Sequence, residues 1–428
     1  MNYKIVNAKL LVMGKNDLFE IIQKDLYIKD GKILAIGELP EGENGVFETV
    51  DATDRLVMPG LVNMHTHVYM TLFRGYADDV DFDEWLFRRI MPAEDKLSPE
   101  AAYSSSMLGC MEMIKSGTTC FMDMHLFRGQ SCRAARDMGM RAYIGRGLVG
   151  EDLYTDGYTR FEDSVAEIEE YGSNLIKGVL SPHAIYTCSA KLYEQTLNEA
   201  QKRDLLIQTH LSESVNEIEN CYKAHGMSPV ELLDKIGFIN EKATFAHCVQ
   251  LNEKDIEILA ERKANVVTNP ASNAKLGNGF APVCAMQKAG INVCLGTDST
   301  ASNNALNMFR EMGLLSIIHK GLAKDSTAAP AQSVIRSATY NAGIALGLKD
   351  RLGVIAPGAE ADIIFVNLNS ESLFPNNDII ASLCYSANGS EVESVMIGGK
   401  FVMKNRTFPG IDTEKIYADV KKSVELYL

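Results

Sequence analysis

His65-Thr66-His67 stands at the end of an apolar run that follows Pro59-Gly60. In an extended segment residues i and i+2 point the same way, so two imidazoles there can share one cation. A nitrogen from His210 in THLSE and a carboxylate from Asp298 in LGTD would complete a mixed nitrogen and oxygen set. A catalytic site of that kind keeps one position open for water. Zinc favours this donor set, and iron, nickel or manganese also fit it. Each residue alone has a plainer reading: packed or surface histidines for the H-x-H pair, a core histidine for His210, a helix N-cap for Asp298. Taken jointly they point to one metal ion. Five of the eight histidines (65, 67, 183, 210, 247) fall at predicted strand ends, whereas His225 and His319 fall in helical stretches and His125 in a loop.

A divalent ion lowers the pKa of its bound water to about 7 and so makes hydroxide available at neutral pH. Hydrolysis of an aromatic C–N bond further requires protons for the ring and for the departing amine. Glu213, three residues after His210, is placed to protonate a ring nitrogen; its plainer reading is a first-turn acid favoured by the helix dipole. Asp298 would take the proton of the nucleophile. His247 is expected as a proton carrier or orienting group beside the ion, or as a packed core histidine.

Something must bring these distant residues together. Eight short, mostly apolar runs alternate with helical stretches: LVMPGLVNMHTH, TTCFMDM, RAYIGRGL, LIKGVLSPH, LLIQTHLSE, TFAHCVQL, NVVTNP and INVCLGTD. Their ends carry, in order, His65/His67, Asp123, Arg146, His183, His210, His247, Asn269 and Asp298. Strands buried on both faces are apolar throughout, and a (β/α)8 TIM-type barrel gathers its chemistry at their C-terminal mouths. The barrel is expected over 58–349. Residues 1–57 and 350–428 are strand-rich, with Asp30-Gly31 as a hairpin turn and ESVMIGGKFVMKNRTF as a second hairpin. Both ends are expected to pair into one small β-sandwich-like domain, followed by a terminal helix from about Thr413.

Composition narrows the function classes. With 428 residues, 46% hydrophobic and 23% charged, the chain has ample material for a large core. The formal net charge of −14, from 42 basic and 56 acidic residues, repels phosphate backbones and anionic lipid, so neither nucleic acid nor membrane is expected as a partner. Nine scattered cysteines without a C-x-x-C pair suggest free thiols in a reducing cytoplasm. No stretch reaches the roughly 20 apolar residues that cross a bilayer, and no signal-peptide pattern opens the chain. A homo-oligomer is compatible with this surface.

The motifs PGLVNMHTH, THLSE, AHCVQL, NPASNAKLGNG and LGTDSTASNN resemble the amidohydrolase superfamily in its aminohydrolase branch. Nearly end to end, the chain is similar to the 5′-methylthioadenosine/S-adenosylhomocysteine deaminases, a family that converts adenine rings to hypoxanthine and releases ammonia. The resemblance assigns zinc to His65, His67, His210 and Asp298, and a nucleoside as substrate. It makes Glu94, in IMPAEDKL, a ligand of the ribose hydroxyls, where the residue alone reads as a solvated helix-face acid. It places His183 against the nucleoside next to the ribose and gives Arg146 the homocysteine carboxylate, which suits a planar guanidinium fork. Arg160 would join Arg146, although the loop GEDLYTDGYTR differs in length from the family pattern and a surface arginine is the plainer reading. Binuclear relatives bridge two metals with a carboxylated lysine on the fourth strand; here Lys177 lies early in that run, so a single metal is expected. Thr268 and Ser299 also depart from the family pattern without removing a ligand. The same metal and Glu213 would serve a guanine, cytosine, pterin or triazine ring, and a non-catalytic scaffold barrel would be expected to have lost these ligands.

Overall fold

The computed structural model describes residues 2–43 and 45–428; Met1 and Asn44, both within the predicted N-terminal β-segment, lie outside the described residues. Each of the eight apolar runs contains a strand of one parallel sheet. These are β1 Leu61–Thr66, β2 Thr118–His125, β3 Arg141–Leu148, β4 Ile176–Pro182, β5 Leu206–Leu211, β6 Ala243–His247, β7 Asn265–Thr268 and β8 Asn292–Leu295. They are hydrogen-bonded in sequence order, and every neighbouring pair is parallel. Helices follow the strands, several started by residues that favour an N-cap: the side chains of Ser98, Ser189, Ser214, Ser228, Asn252 and Asn307 accept from backbone N–H groups of the first turn.

Alternation along each strand divides two cores. Phe121, Ile144, Leu180, Ile207 and Phe245 pack outward against the helices. Val62, Met64, Cys120, Met122, Tyr143, Val179, Val267 and Cys294 fill the barrel interior, closed below by Ala342, Leu346 and Leu352. A register shift in β1 between Asn63 and Thr66 opposite β2 breaks that alternation. It allows Met64 to join the interior while His65, the next residue, still reaches the mouth. The ring closes between β8 and β1. Asp298 N–H donates to the His65 carbonyl at 2.9 Å, and the Asn63 side chain bonds Thr297 through both its amide atoms. Gly296 lets the backbones approach at this seam, since a Cβ there would lie 2.9 Å from His65 N and 2.6 Å from Asn269 Oδ1.

Two further sheets stack beside the barrel. One holds Tyr3–Val6, Leu26–Lys29, Lys32–Ile36 and Glu48–Asp51; the other combines Lys9–Met13, Phe19–Gln23 and Arg55–Pro59 with Ile363–Asn367, Val392–Ile397 and Lys400–Met403. Antiparallel pairing of Arg55–Pro59 with Ile363–Asn367 joins the two ends of the chain. Ile5, Leu10, Ile28, Val57, Ile363 and Phe365 form the core between the sheets. The first apolar run therefore splits at Gly60: Arg55–Pro59 serves the β-sandwich and Leu61–Thr66 the barrel. The terminal helix, Thr413–Tyr427, packs against the barrel helix Pro99–Lys115, with Ser423 Oγ 3.3 Å from Ser104 Oγ. Its buried Ile416 belongs to the barrel's outer core.

Candidate functional site

The strand tips converge as the barrel geometry requires. His65, His67 and His210 offer ring nitrogens, and His65, His247 and Asp298 a second overlapping set, with the ligand atoms of each set within 4.8 Å of one another. His65 Nε2 and His67 Nε2 lie 3.6 and 3.4 Å from Asp298 Oδ1. His67 Nε2 faces His210 Nε2 at 3.3 Å.

The proton positions decide what these rings can hold. His67 Nδ1 is 2.7 Å from the Met124 carbonyl, and His210 Nδ1 is 2.7 Å from the His183 carbonyl. A carbonyl only accepts, so each Nδ1 carries the hydrogen and each Nε2 presents a lone pair. Two lone pairs facing each other at that distance repel unless a cation sits between them. His65 Nε2 is buried and has no hydrogen-bond partner. Burial also holds His65 down to about 4 and His210 well below its ordinary pKa, which keeps both rings neutral. Asp298 Oδ2 accepts from Ser272 Oγ at 2.6 Å and Ser302 Oγ at 2.7 Å, which leaves Oδ1 aimed at the histidines. These donors fit one divalent ion.

Beside this cluster, Glu213 is buried and accepts from Asn278 Nδ2 at 3.0 Å through Oε1, with Oε2 3.8 Å from His247 Nε2. Burial pushes its carboxyl up to about 7, against the opposing pull of His247. His247 is oriented by Asn273 Oδ1, 2.8 Å from Nδ1. Glu217 accepts the backbone N–H groups of Ser212 and Glu213 at 2.9 and 2.7 Å and so fixes the segment that carries the acid.

A cavity of about 380 Å³ opens onto these groups, lined by His67, His210, Glu213, His247 and Asp298 together with Glu94, Arg160, His183, Tyr186 and the apolar Met70, Trp85, Leu86 and Met91. Glu94 is thus brought to the cavity, not to a solvated helix face. Tyr69 Oη donates to its Oε1, and burial pushes its carboxyl up to about 7 while that hydrogen bond pulls the other way. His183 Nδ1 lies 2.9 Å from Thr187 Oγ1, whose own hydroxyl donates to the Ala184 carbonyl. His183 Nε2 is therefore the acceptor left for a ligand. Burial lowers this imidazole to about 3, so it stays neutral.

Of the two arginines expected at the substrate carboxylate, only Arg160 lines the cavity. Arg146 donates to Asp163 on the helix Tyr158–Tyr171 and does not line the cavity. The reason is strand alternation: Gly147 faces the cavity, so Arg146, one residue earlier, faces the helix layer. Arg160 lies one turn before Asp163 on that helix and does line the cavity, with Nη1 donating to the Gly147 carbonyl at 3.1 Å. Arg146 anchors the helix that presents Arg160. His125 also differs from expectation. It ends β2, buried, with Nε2 3.1 Å from Glu167, on the outward side of the strand. His319 is buried in the helix Met308–Ala323, and His225 ends the helix Val215–His225.

Sequence reasoning missed Ser272, Ser302, Asn273, Asn278, Glu217 and Tyr69. A signal was present for most of them, since NPASNAKLGNG and STASNN crowd amides and hydroxyls directly after strand tips, where buried ligands need partners.

The sequence profile of the amidohydrolase family matches residues 56–402. A 5-methylthioadenosine/S-adenosylhomocysteine deaminase of Caldanaerobacter subterraneus subsp. tengcongensis is 38% identical over 429 residues, covering 99% of this chain and 98% of its own. A 5′-deoxyadenosine deaminase of Methanothermobacter thermautotrophicus is 39% identical over 405 residues, 93% of this chain and 94% of its own. Among solved structures, an adenosine deaminase from Xanthomonas campestris with bound zinc superposes with a TM-score of 0.92 at 31% identity, covering 99% of this chain and 98% of that one.

Proposed function

The chain belongs to the amidohydrolase family, and from that premise we propose that it is a zinc-dependent aminohydrolase acting on adenine nucleosides. Its substrates are S-adenosylhomocysteine and 5′-methylthioadenosine, with adenosine beside them; the adenine ring becomes hypoxanthine and ammonia is released. The observation that carries this reading is Glu213, a buried carboxyl raised to about 7 and held by Asn278 next to the histidine cluster. A carboxyl that keeps its proton at neutral pH can give it to a ring nitrogen.

His65, His67, His210 and Asp298 Oδ1 would hold one zinc ion. When bound, the ion supplies an acidified water to the ring carbon that bears the amine. Glu213 donates its proton to the adjacent ring nitrogen as that carbon becomes tetrahedral. Asp298 accepts the proton of the attacking water and returns it to the amino group, which leaves as ammonia, while the proton of the new hydroxyl restores Glu213 as the ring carbonyl forms. His247, locked by Asn273, steadies the new hydroxyl and Glu213. Glu94 accepts from the ribose hydroxyls, His183 Nε2 accepts beside them, and Arg160 takes the carboxylate of the homocysteine tail. Arg146 acts through its grip on the Arg160 helix.

The nine cysteines are unpaired, which supports residence in the reducing cytoplasm. No helix among the described residues is long and apolar enough to cross a membrane. The test is direct: with S-adenosylhomocysteine or methylthioadenosine, the adenine absorbance band should shift as ammonia appears in equal amount. Failure of ample zinc-loaded enzyme to turn over any adenine nucleoside would reject the proposal.

A further inference from the structure

Tyr69 lies two residues beyond His67, on the short turn of 3-10 helix Val68–Phe73, and is almost wholly buried at 3% exposure while lining the cavity. Three contacts fix it. Its carbonyl accepts from Ser105 Oγ at 2.5 Å, and that same Oγ accepts Leu72 N–H at 2.8 Å. Its ring meets Phe127 edge-on, with centroids 5.5 Å apart. Its hydroxyl donates to Glu94 Oε1.

Glu94 approaches the same point from a different element, the short helix Met91–Glu94. A glutamate has three side-chain torsions to order, and nothing in that helix fixes them. Charge-assisted hydrogen bonds are both strong and directional, so a rigid phenol on one oxygen sets where the other points. Tyr69 comes from the loop that leaves the histidine pair, so it ties the position of Glu94 to the metal end of the cavity.

We propose that Tyr69 is a positioning and specificity-determining residue: its hydroxyl holds one oxygen of Glu94 so that the remaining lone pairs meet the vicinal hydroxyls of a ribose. The inference rests on the sugar role given to Glu94 above. It makes a distinction that the Glu94 role alone does not, because a residue acting on substrate only through Glu94 must affect diol-bearing nucleosides selectively.

The experiment compares kcat/KM for adenosine and for 2′,3′-dideoxyadenosine in zinc-loaded wild type, Tyr69→Phe, Glu94→Gln and the double variant. In Tyr69→Phe the ratio of the two should fall about tenfold, the size expected for one hydrogen bond to a charged group. Most of that fall should be a higher KM for adenosine. In the Glu94→Gln background, Tyr69→Phe should cause no further change in the ratio. Equal losses on both substrates in Tyr69→Phe, beside a lowered ratio in Glu94→Gln, would overturn the role of Tyr69 and leave that of Glu94 standing. An unchanged ratio in Glu94→Gln would overturn the sugar role itself, and this inference with it. If Tyr69→Phe alone proved too unstable to assay, Ser105→Ala, which frees the Tyr69 carbonyl while keeping the phenol, should lower the ratio in the same direction; an unaltered ratio there would count against the proposal.

Discussion

Asp298 donates its backbone N–H to the carbonyl of His65 at 2.9 Å, so the bond that closes the barrel also joins two of the proposed ligands. The seam and the site are one piece of structure. Gly296 permits this approach, and replacing it with alanine would press a methyl group against His65 N and Asn269 Oδ1. Gly296→Ala should cost about 1–3 kcal/mol of stability and lower metal content together with activity. Thermal unfolding and elemental analysis of one preparation check both effects.

Asp298 reaches inward with Oδ1 because Ser272 and Ser302 occupy Oδ2. Removing either hydroxyl leaves a single bond to hold the carboxylate against rotation. Ser302→Ala should reduce zinc affinity or kcat/KM by about 10–100-fold, the usual loss when the partner of a ligand is removed. Competition with a chelator of known affinity measures the first, and ammonia release the second.

The two arginines make separable predictions. Arg160→Ala should reduce turnover of S-adenosylhomocysteine far more than that of methylthioadenosine, because only the former carries a carboxylate. Arg146→Ala should bear on S-adenosylhomocysteine in the same direction, through Arg160, but by a smaller factor than Arg160→Ala, and should in addition destabilise the fold by about 1.5–3 kcal/mol, since Asp163 loses a charged partner. Steady-state kinetics on the two substrates, with a denaturant melt of each variant, separates these outcomes.

Why Arg146 turns away from the cavity bears on what a sequence can reveal. The apolar runs fixed the eight strands, and the polar residue at each tip marked the mouth, so His65, His67, His210 and Asp298 were legible from type and order. The phase of each strand was not. Period two says that neighbours face opposite ways, but only packing decides which residue of a pair faces in, and so Gly147 lines the cavity while Arg146 turns out. His125 differs for another reason: its strand runs one residue past the apolar run TTCFMDM, so it ends the strand and does not begin a loop. The register shift in β1 was invisible because Met64 and His65 both suit a buried position. Glu94 and Tyr69 sit 25 residues apart on separate short elements, and no local pattern announces that they meet.

As the proposed acid, Glu213 would give the reaction a pH dependence with a definite sign. Burial raises its pKa from the ordinary carboxylate range to about 7, and only the protonated form can donate. Below that value the acid is loaded; as pH rises through it, kcat/KM should fall, approaching tenfold per pH unit. Glu213→Gln should remove this alkaline limb and lower kcat by at least about 100-fold. A pH profile of kcat/KM for both proteins is the check.

The most direct test counts metal ions and ammonia in the same samples. Protein stripped by a chelator and returned to one equivalent of zinc per chain should recover hydrolysis of S-adenosylhomocysteine in proportion to the ion retained, while His210→Ala and Asp298→Ala should retain neither. Full turnover by the stripped protein, or by a variant that binds no ion, would contradict the account.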